Sequence, residues 1–319
     1  MSLTARSGEE VRRWSAKTLA RTRLGRLSFP YRAPTVPVGV EPPEQEGRTG
    51  PDYDTTWARR YPARLARVAL VEGVMRPMMR AVADPAVDGV DRLDSLTGPA
   101  IFAANHHSHT DTPLLLTTIP EPWRHHLIVG AAADYFFRSR AAGAISALAF
   151  NAIPIERTRV TRRSADLAAE LVADGWSMLI YPEGGRSPDG WGQPFRGGAA
   201  YLSLRCGVPV VPVHVEGTGR ILRKGSKTLN PSATRVTFGA PMRPDDGEDS
   251  RRFSARVERT VAALADEAST DWYTARRRAH SGATPALTGP GGPSWRRAWS
   301  LPERSGRRRR RRRRWPDLG

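Results

Sequence analysis

The chain has 319 residues, of which 39% are hydrophobic, with a formal charge of +18 and a single cysteine, Cys206. That length allows one large domain or two small ones. A lone cysteine excludes an intramolecular disulfide scaffold, fits a reducing compartment and reads as a small buried filler. The charge is uneven: residues 275–319 hold 14 arginines against Glu303 and Asp317, a net +12, so the remainder carries +6 (18 − 12).

Residues 1–23 are polar and lack the apolar core of a secretory signal. No stretch reaches the ~18 apolar residues of a spanning helix. Residues 1–55, with PYRAPTVPVGVEPPEQEGRTGPD, are rich in Pro, Gly and charge and are expected to be poorly ordered. Residues 57–83 read as a basic amphipathic helix. Leu65, Val68, Ala69, Val71, Met75, Met78 and Met79 recur at roughly helical spacing. Arg59, Arg60, Arg64, Arg67, Arg76 and Arg80 surround that face, and Pro77 is expected to kink or end the helix. Such a helix can lie in an anionic membrane interface or cover the core of its own domain.

From residue 98 strands and helices alternate. AIFAAN, HLIVGAA, AIPIER, WSMLIY, VPVVPVHV and TRVTFG read as strands. TDTPLLLTTI, RAAGAISALAF, RRSADLAAELVADG, GGAAYLSLRCG and SRRFSARVERTVAALADEA read as helices. Short alternation of this kind predicts an α/β domain with a mostly parallel central sheet flanked by helices, over residues 56–274. Beyond it, 275–319 is expected to be a disordered tail ending in the eight arginines Arg307–Arg314. The tail could meet lipid headgroups or nucleic acid, or no dedicated partner.

Sites in such sheets gather beyond the C-terminal strand ends. Those ends read NHHSHTD, PIERTR and YPEGGRS. In the first, His106 can accept a proton near neutral pH and Asp111, five residues on, can fold back to orient it. Asn105 and Ser108 can hold the bend or cap the following helix. The same residues, with His107 and His109, could instead ligate zinc or form a polar turn. In YPEGGRS, Gly184 and Gly185 allow close approach of an anion, and Arg186 offers a planar fork for phosphate. Arg157 follows a short strand, and Arg196 precedes a glycine-led helix whose free N–H groups favour an anion. No phosphate-binding GxxxxGK[ST] loop is present.

Together these pieces resemble the glycerolipid acyltransferase family, and lysophosphatidic acid acyltransferases in particular. NHHSHTD matches the pattern N-H-x-S-x-x-D at every fixed position, AIPIERT is similar to the second block, and YPEGGRS resembles F/Y-P-E-G-T-R-S. FRGGA is similar to F-K-x-G-A, and VPVVPVHVEG, with Pro212, looks like the fourth block. The likeness covers roughly 98–220, and it departs from the family at Gly185, where threonine is usual, and at Arg196, where lysine is usual.

The resemblance implies a single acyltransferase domain preceded by the amphipathic helix. It implies transfer of a fatty acyl group from acyl-CoA or acyl carrier protein, as co-substrate, to a lysophospholipid hydroxyl, most simply 1-acylglycerol 3-phosphate. His106 is then the general base and Asp111 its orienting acid. Arg157, Glu183, Gly184, Arg186 and Arg196 bind the acceptor. Asn105, Ser108, Gly185, Ser187 and Pro212 support the site. The oxyanion falls to backbone N–H groups near Gly184 and Gly185. No metal or prosthetic group is required, the expected partner is an anionic membrane surface rather than nucleic acid, and the expected location is cytoplasmic, peripherally on the cell membrane. Another acceptor, a catalytically silent lipid-binding protein and a metal-dependent hydrolase are the alternatives.

Overall fold

A computed structural model describes residues 49–156, 162–222 and 228–301. Seven strands form one sheet: β1 (Pro85–Asp88), β2 (Ile101–Ala104), β3 (Leu127–Ala132), β4 (Ala152–Ile155), β5 (Ser177–Ile180), β6 (Val210–Glu216) and β7 (Thr234–Phe238). Their order is β1-β7-β6-β2-β5-β3-β4. Every neighbouring pair is parallel except β6 with β7. The six strands read from the sequence are all present. The four-residue edge strand β1 was not foreseen, because PAVD is too short and mixed to show alternation.

Strand β2 lies between β5 and β6, and all four of its residues are buried. A strand covered on both faces needs an apolar run, and its side chains alternate between two cores. Phe102 and Ala104 enter one core with Leu114, Leu115, Val213 and Phe238. Ile101 and Ala103 enter the other with Met178, Val210, Leu202 and Phe253. The first core is covered by the helix α3 (Asp111–Thr118), the second by α6 (Arg162–Ala173), α7 (Gly198–Cys206) and α9 (Ser250–Ser269). Cys206 is half-buried against the second core, as a filler would be.

The segment 57–83 departs from its expected form. A single 3-10 turn, Thr56–Arg59, leads into α1 (Tyr61–Leu70). A wide π turn, Val71–Met75, joins α1 to α2 (Arg76–Ala83). The helical path therefore continues past Pro77 instead of ending before it. The reason is local: Pro77 lies in the first turn of α2, and the wide turn before it leaves no call on the missing proline N–H. The seven apolar residues also divide. Val71, Met75 and Met79 are buried, whereas Leu65, Ala69 and Met78 face outward with Tyr61 and Val74.

Arg67, expected among the surface arginines, is buried in line with Val71, Met75, Met79 and Ala83. Its guanidinium donates to the carbonyls of Ala58, Ala147 and Leu148, the last two in α5 (Arg140–Phe150). Burial, then the nearby charges of Arg59 and Arg64, lower its pKa to about 10, so it stays protonated at neutral pH.

Two boundaries move outward. The 49–55 part of the N-terminal segment is packed: Gly50 donates to the Phe137 carbonyl at 2.8 Å, and the Tyr53 ring lies 5.4 Å from that of Phe137. The 275–301 part of the expected tail also carries structure, in α10 (Trp272–His280) and α11 (Ser294–Trp299). Arg278 pairs with the buried Asp266 of α9 at 2.6 Å. Such segments cannot build a core, but they can lie along one that exists. The arginine run 307–314 lies outside the described residues.

The helix clasp makes a prediction. Arg67→Ala leaves three carbonyls, those of Ala58, Ala147 and Leu148, without that donor and should cost roughly 3 kcal/mol of stability, read as a lowered midpoint in denaturant unfolding. An unchanged midpoint would show that α1 is held by its apolar face alone.

Candidate active site

His106 stands just past the C-terminal end of β2, where the central strand gives way to the bend before α3. Asn105 anchors that end: its amide donates to the Val215 carbonyl at 2.8 Å and accepts from the Val215 N–H at 2.7 Å, tying β2 to β6. Ser108 donates to the Leu222 carbonyl and accepts from the N–H and hydroxyl of Thr110. Both are buried and both brace the bend.

Asp111 opens α3 and is fully buried. One of its oxygens, Oδ2, accepts from His106 Nδ1 at 2.8 Å, from the His107 N–H at 2.7 Å and from the Ser108 N–H at 2.9 Å. Burial pushes this carboxyl up, but the bonds from His106 and Ser108 and the proximity of His106 and His107 outweigh it, and the net pKa is lowered. The carboxylate can only accept, so Nδ1 carries the proton and Nε2 is left as the base.

A second contact fixes the imidazole. The Tyr181 ring stacks on it with centroids 4.1 Å apart and 18° between planes. The Tyr181 hydroxyl shares a 2.9 Å hydrogen bond with Thr112, the residue after Asp111. Burial and the charge of Asp111 hold the phenol well above its ordinary pKa, so it stays neutral. Tyr181 and Thr112 were not singled out in the sequence; the only signal was an aromatic at the head of YPEGGRS.

Glu183 is placed differently from its expected acceptor-binding role. It is 1% exposed. Its Oε1 accepts from the His106 N–H and its Oε2 from the Gln193 N–H, both at 2.9 Å. Both oxygens are committed to backbone, so the residue braces two loops rather than facing a ligand. Burial raises its pKa to about 7; the two backbone bonds oppose this, and Asp111 and Glu258 add to it. The Ser187 N–H donates to the His106 carbonyl at 2.9 Å, closing the same brace.

Gly184 takes a left-handed conformation, φ 72°, which favours glycine; a Cβ there would sit 3.0 Å from the Arg196 guanidinium, which would have to shift slightly. Its N–H donates to the Tyr181 carbonyl at 3.0 Å, which removes it as an oxyanion donor. Gly185, Arg186 and Arg196 line the cavity next to His106. Pro212 is buried in β6 opposite Ala103, outside the cavity lining, and supports the sheet rather than the site. Arg157 lies outside the described residues.

The cavity has a volume of about 470 Å³. His106, Arg186 and Arg196 stand among its polar groups, and Val129, Phe136, Phe150, Ile155, Met178 and Leu202 among its apolar ones. Glu156, which the sequence did not single out, also lines it, with Oε2 buried and unbonded. His109 stacks on Tyr135, and burial, then the charge of Arg186, lowers its pKa to about 4, so it stays neutral. Among the described residues, the His, Asp and Glu side chains close enough to share one ion are Glu72, Glu121 and His125. There Arg124 already pairs with both carboxylates.

The arrangement is an imidazole bonded to a buried carboxylate, with guanidinium groups nearby, at an apolar cavity. The Acyltransferase family model matches residues 85–216. That stretch of the chain is thus similar to the acyltransferase family. A chloroplastic 1-acyl-sn-glycerol-3-phosphate acyltransferase of Brassica napus is 32% identical over 160 residues, 49% of this chain and 44% of the relative. A chloroplastic one of Arabidopsis thaliana is 31% identical over 160 residues, 49% of this chain and 43% of the relative. The matches thus span less than half the length of these two relatives. In fold, the chain resembles the crystal structure of the 1-acyl-sn-glycerophosphate acyltransferase of Thermotoga maritima. The TM-score is 0.50 at 23% identity, covering 67% of this chain and 83% of that one. The domain thus has the mostly parallel, helix-flanked sheet expected of it.

Glu183 gives a pH test. Its pKa rises from 4.5 to about 7 on folding, so the folded state holds the proton more tightly than the unfolded chain. The stabilising contribution is full below about pH 4.5 and is lost as pH rises through about 7. Glu183→Gln cannot titrate, so wild type should lose about 3 kcal/mol relative to it across that window. Denaturant unfolding at several pH values measures this; a difference that stays flat with pH would refute the raised pKa.

Proposed function

We propose that this protein transfers a fatty acyl group from a thioester donor, acyl-CoA or acyl carrier protein, to the hydroxyl of a lysophospholipid. The acceptor that fits best is 1-acylglycerol 3-phosphate, giving phosphatidic acid. The observation that carries the reading is the His106 Nδ1–Asp111 Oδ2 bond at the wall of a large, mostly apolar cavity. The names of the matched relatives support the same acceptor.

In this reading His106 Nε2 removes the proton from the acceptor hydroxyl as its oxygen attacks the thioester carbon. Asp111 stabilises the imidazolium that forms. The C–S bond breaks, and the leaving thiolate takes the proton back from His106. The donor is a co-substrate, so the step needs no prosthetic group or metal. Arg186 and Arg196 hold the acceptor phosphate, with Arg157 assigned to the same task from its place in the second motif. An arginine where the family usually carries lysine suits a bidentate phosphate contact.

The acceptor lives in a bilayer, and the outward stripe of α1 and α2 suits its surface. Tyr61, Leu65, Val74 and Met78 are exposed there, with Arg60 and Arg80 also exposed. Among the described residues no helix is long and apolar enough to cross a membrane. We assign the protein a peripheral place on an anionic membrane, facing the cytoplasm.

Two outcomes are expected. His106→Ala should lose ~10²–10⁴ of acyl-transfer rate while keeping its thermal midpoint, assayed by mass spectrometry with a panel of lyso-lipids and both donor types. Wild-type turnover in that variant would end the mechanism. Leu65→Ser with Met78→Ser should weaken salt-sensitive binding to anionic vesicles; binding that is indifferent to both salt and the substitutions would remove the helix from the membrane contact.

A further inference from the structure

The described part of the C-terminal segment lies on the loop that carries Arg186. Gly192 donates its N–H to the Leu287 carbonyl at 2.9 Å. The Trp191 indole N–H donates to the Arg297 carbonyl at 2.9 Å, and Arg297 Nε bonds to Asp189 Oδ2 at 2.8 Å. Gly289 lies against the Trp191 ring so closely that a Cβ there would come within 2.2 Å of it. Leu301 packs over Gly190. Residues 287–301 are thus a strap whose inner side is bonded into the loop 184–193.

The outer side has a different chemistry. Trp295 and Trp299 sit one turn apart on α11 and are 66% and 81% exposed. Arg296, between them in sequence, is exposed as well. Paired indoles at helical spacing share a face, and among the described residues nothing covers this one. Indole is the side chain best suited to the boundary between headgroups and acyl chains. The sequence then runs from Leu301 to eight consecutive arginines, Arg307–Arg314. Each basic residue near an anionic leaflet adds to the attraction. Arginines alone would serve nucleic acid equally well, but two indoles on one continuous face suit a planar interface.

We propose that the strap is a membrane anchor. The Trp295–Trp299 face of α11 seats in an anionic lipid interface, and the bonds to Asp189, Trp191 and Gly192 hold the acceptor loop at that interface. The anchor deepens the acyltransferase reading and rests on it for the claim that the acceptor arrives from the bilayer.

The test uses the full chain and a variant carrying Trp295→Ala and Trp299→Ala, with thermal midpoints compared first. Flotation is measured with vesicles of equal parts phosphatidylglycerol and phosphatidylcholine, and with phosphatidylcholine alone. The double variant should bind the anionic vesicles about tenfold more weakly than wild type. Its acyl transfer to a vesicle-embedded lysophospholipid should fall in parallel, while transfer to a dispersed short-chain acceptor stays at the wild-type level. Undiminished binding to anionic vesicles overturns the anchor, as does a loss confined to binding of a double-stranded DNA fragment. Flotation needs no turnover. An inactive protein whose double variant still loses vesicle binding refutes the reaction and leaves the anchor standing; an active one with unaffected binding refutes the anchor alone.

Discussion

One oxygen atom, Asp111 Oδ2, organises the bend that follows the central strand β2. It takes hydrogen bonds from the His106 ring and from two backbone N–H groups. The backbone bonds fold the chain around the carboxylate, and the ring bond then has only one tautomer to choose. The position at the first turn of α3 adds the positive end of a helix dipole. A side chain with no exposed surface can stay ionised only with such partners. The bend and the imidazole are therefore one structure: loosening the backbone bonds would release the ring as well.

Glu183 extends that structure to a second loop. By accepting from His106 N–H and Gln193 N–H it fixes the distance between His106 and the turn that carries Arg186. The cost is a carboxylate buried near Asp111, which is why its pKa climbs. A glutamine could not replace it faithfully, because its amide nitrogen would oppose a backbone donor. The acidic residue in YPEGG looks like a ligand group in sequence, yet it works as a brace.

The difference between what could and could not be read from the sequence follows from range. Apolar runs and their spacing are local, so β2 to β7 and the principal helices were legible. The pairing of His106 with Asp111 was legible for the same reason, five residues apart across one bend. Arg67, Tyr181 and Glu183 take their roles from partners far away in sequence. Arg67 reaches carbonyls about 80 residues on, and nothing in ARLARV marks it as buried. Residues 275–301 were misread because composition reports whether a segment can make a core, not whether it can lie on one.

Arg67 also explains how one helical segment can pack inward and still keep apolar side chains outside. A helix held only by its apolar face would need a wide stripe turned inward, leaving little to present outward. Here the inward line is narrow: Val71, Met75, Met79 and Ala83, extended at its start by a guanidinium bonded to three carbonyls. Those bonds are directional, so they fix the rotation of α1 about its axis as well as its position. With rotation fixed, Tyr61, Leu65, Val74 and Met78 are kept on the outside, where an apolar side chain would otherwise gain by turning in. The buried charge is thus what permits the exposed stripe, and the two would be expected to change together.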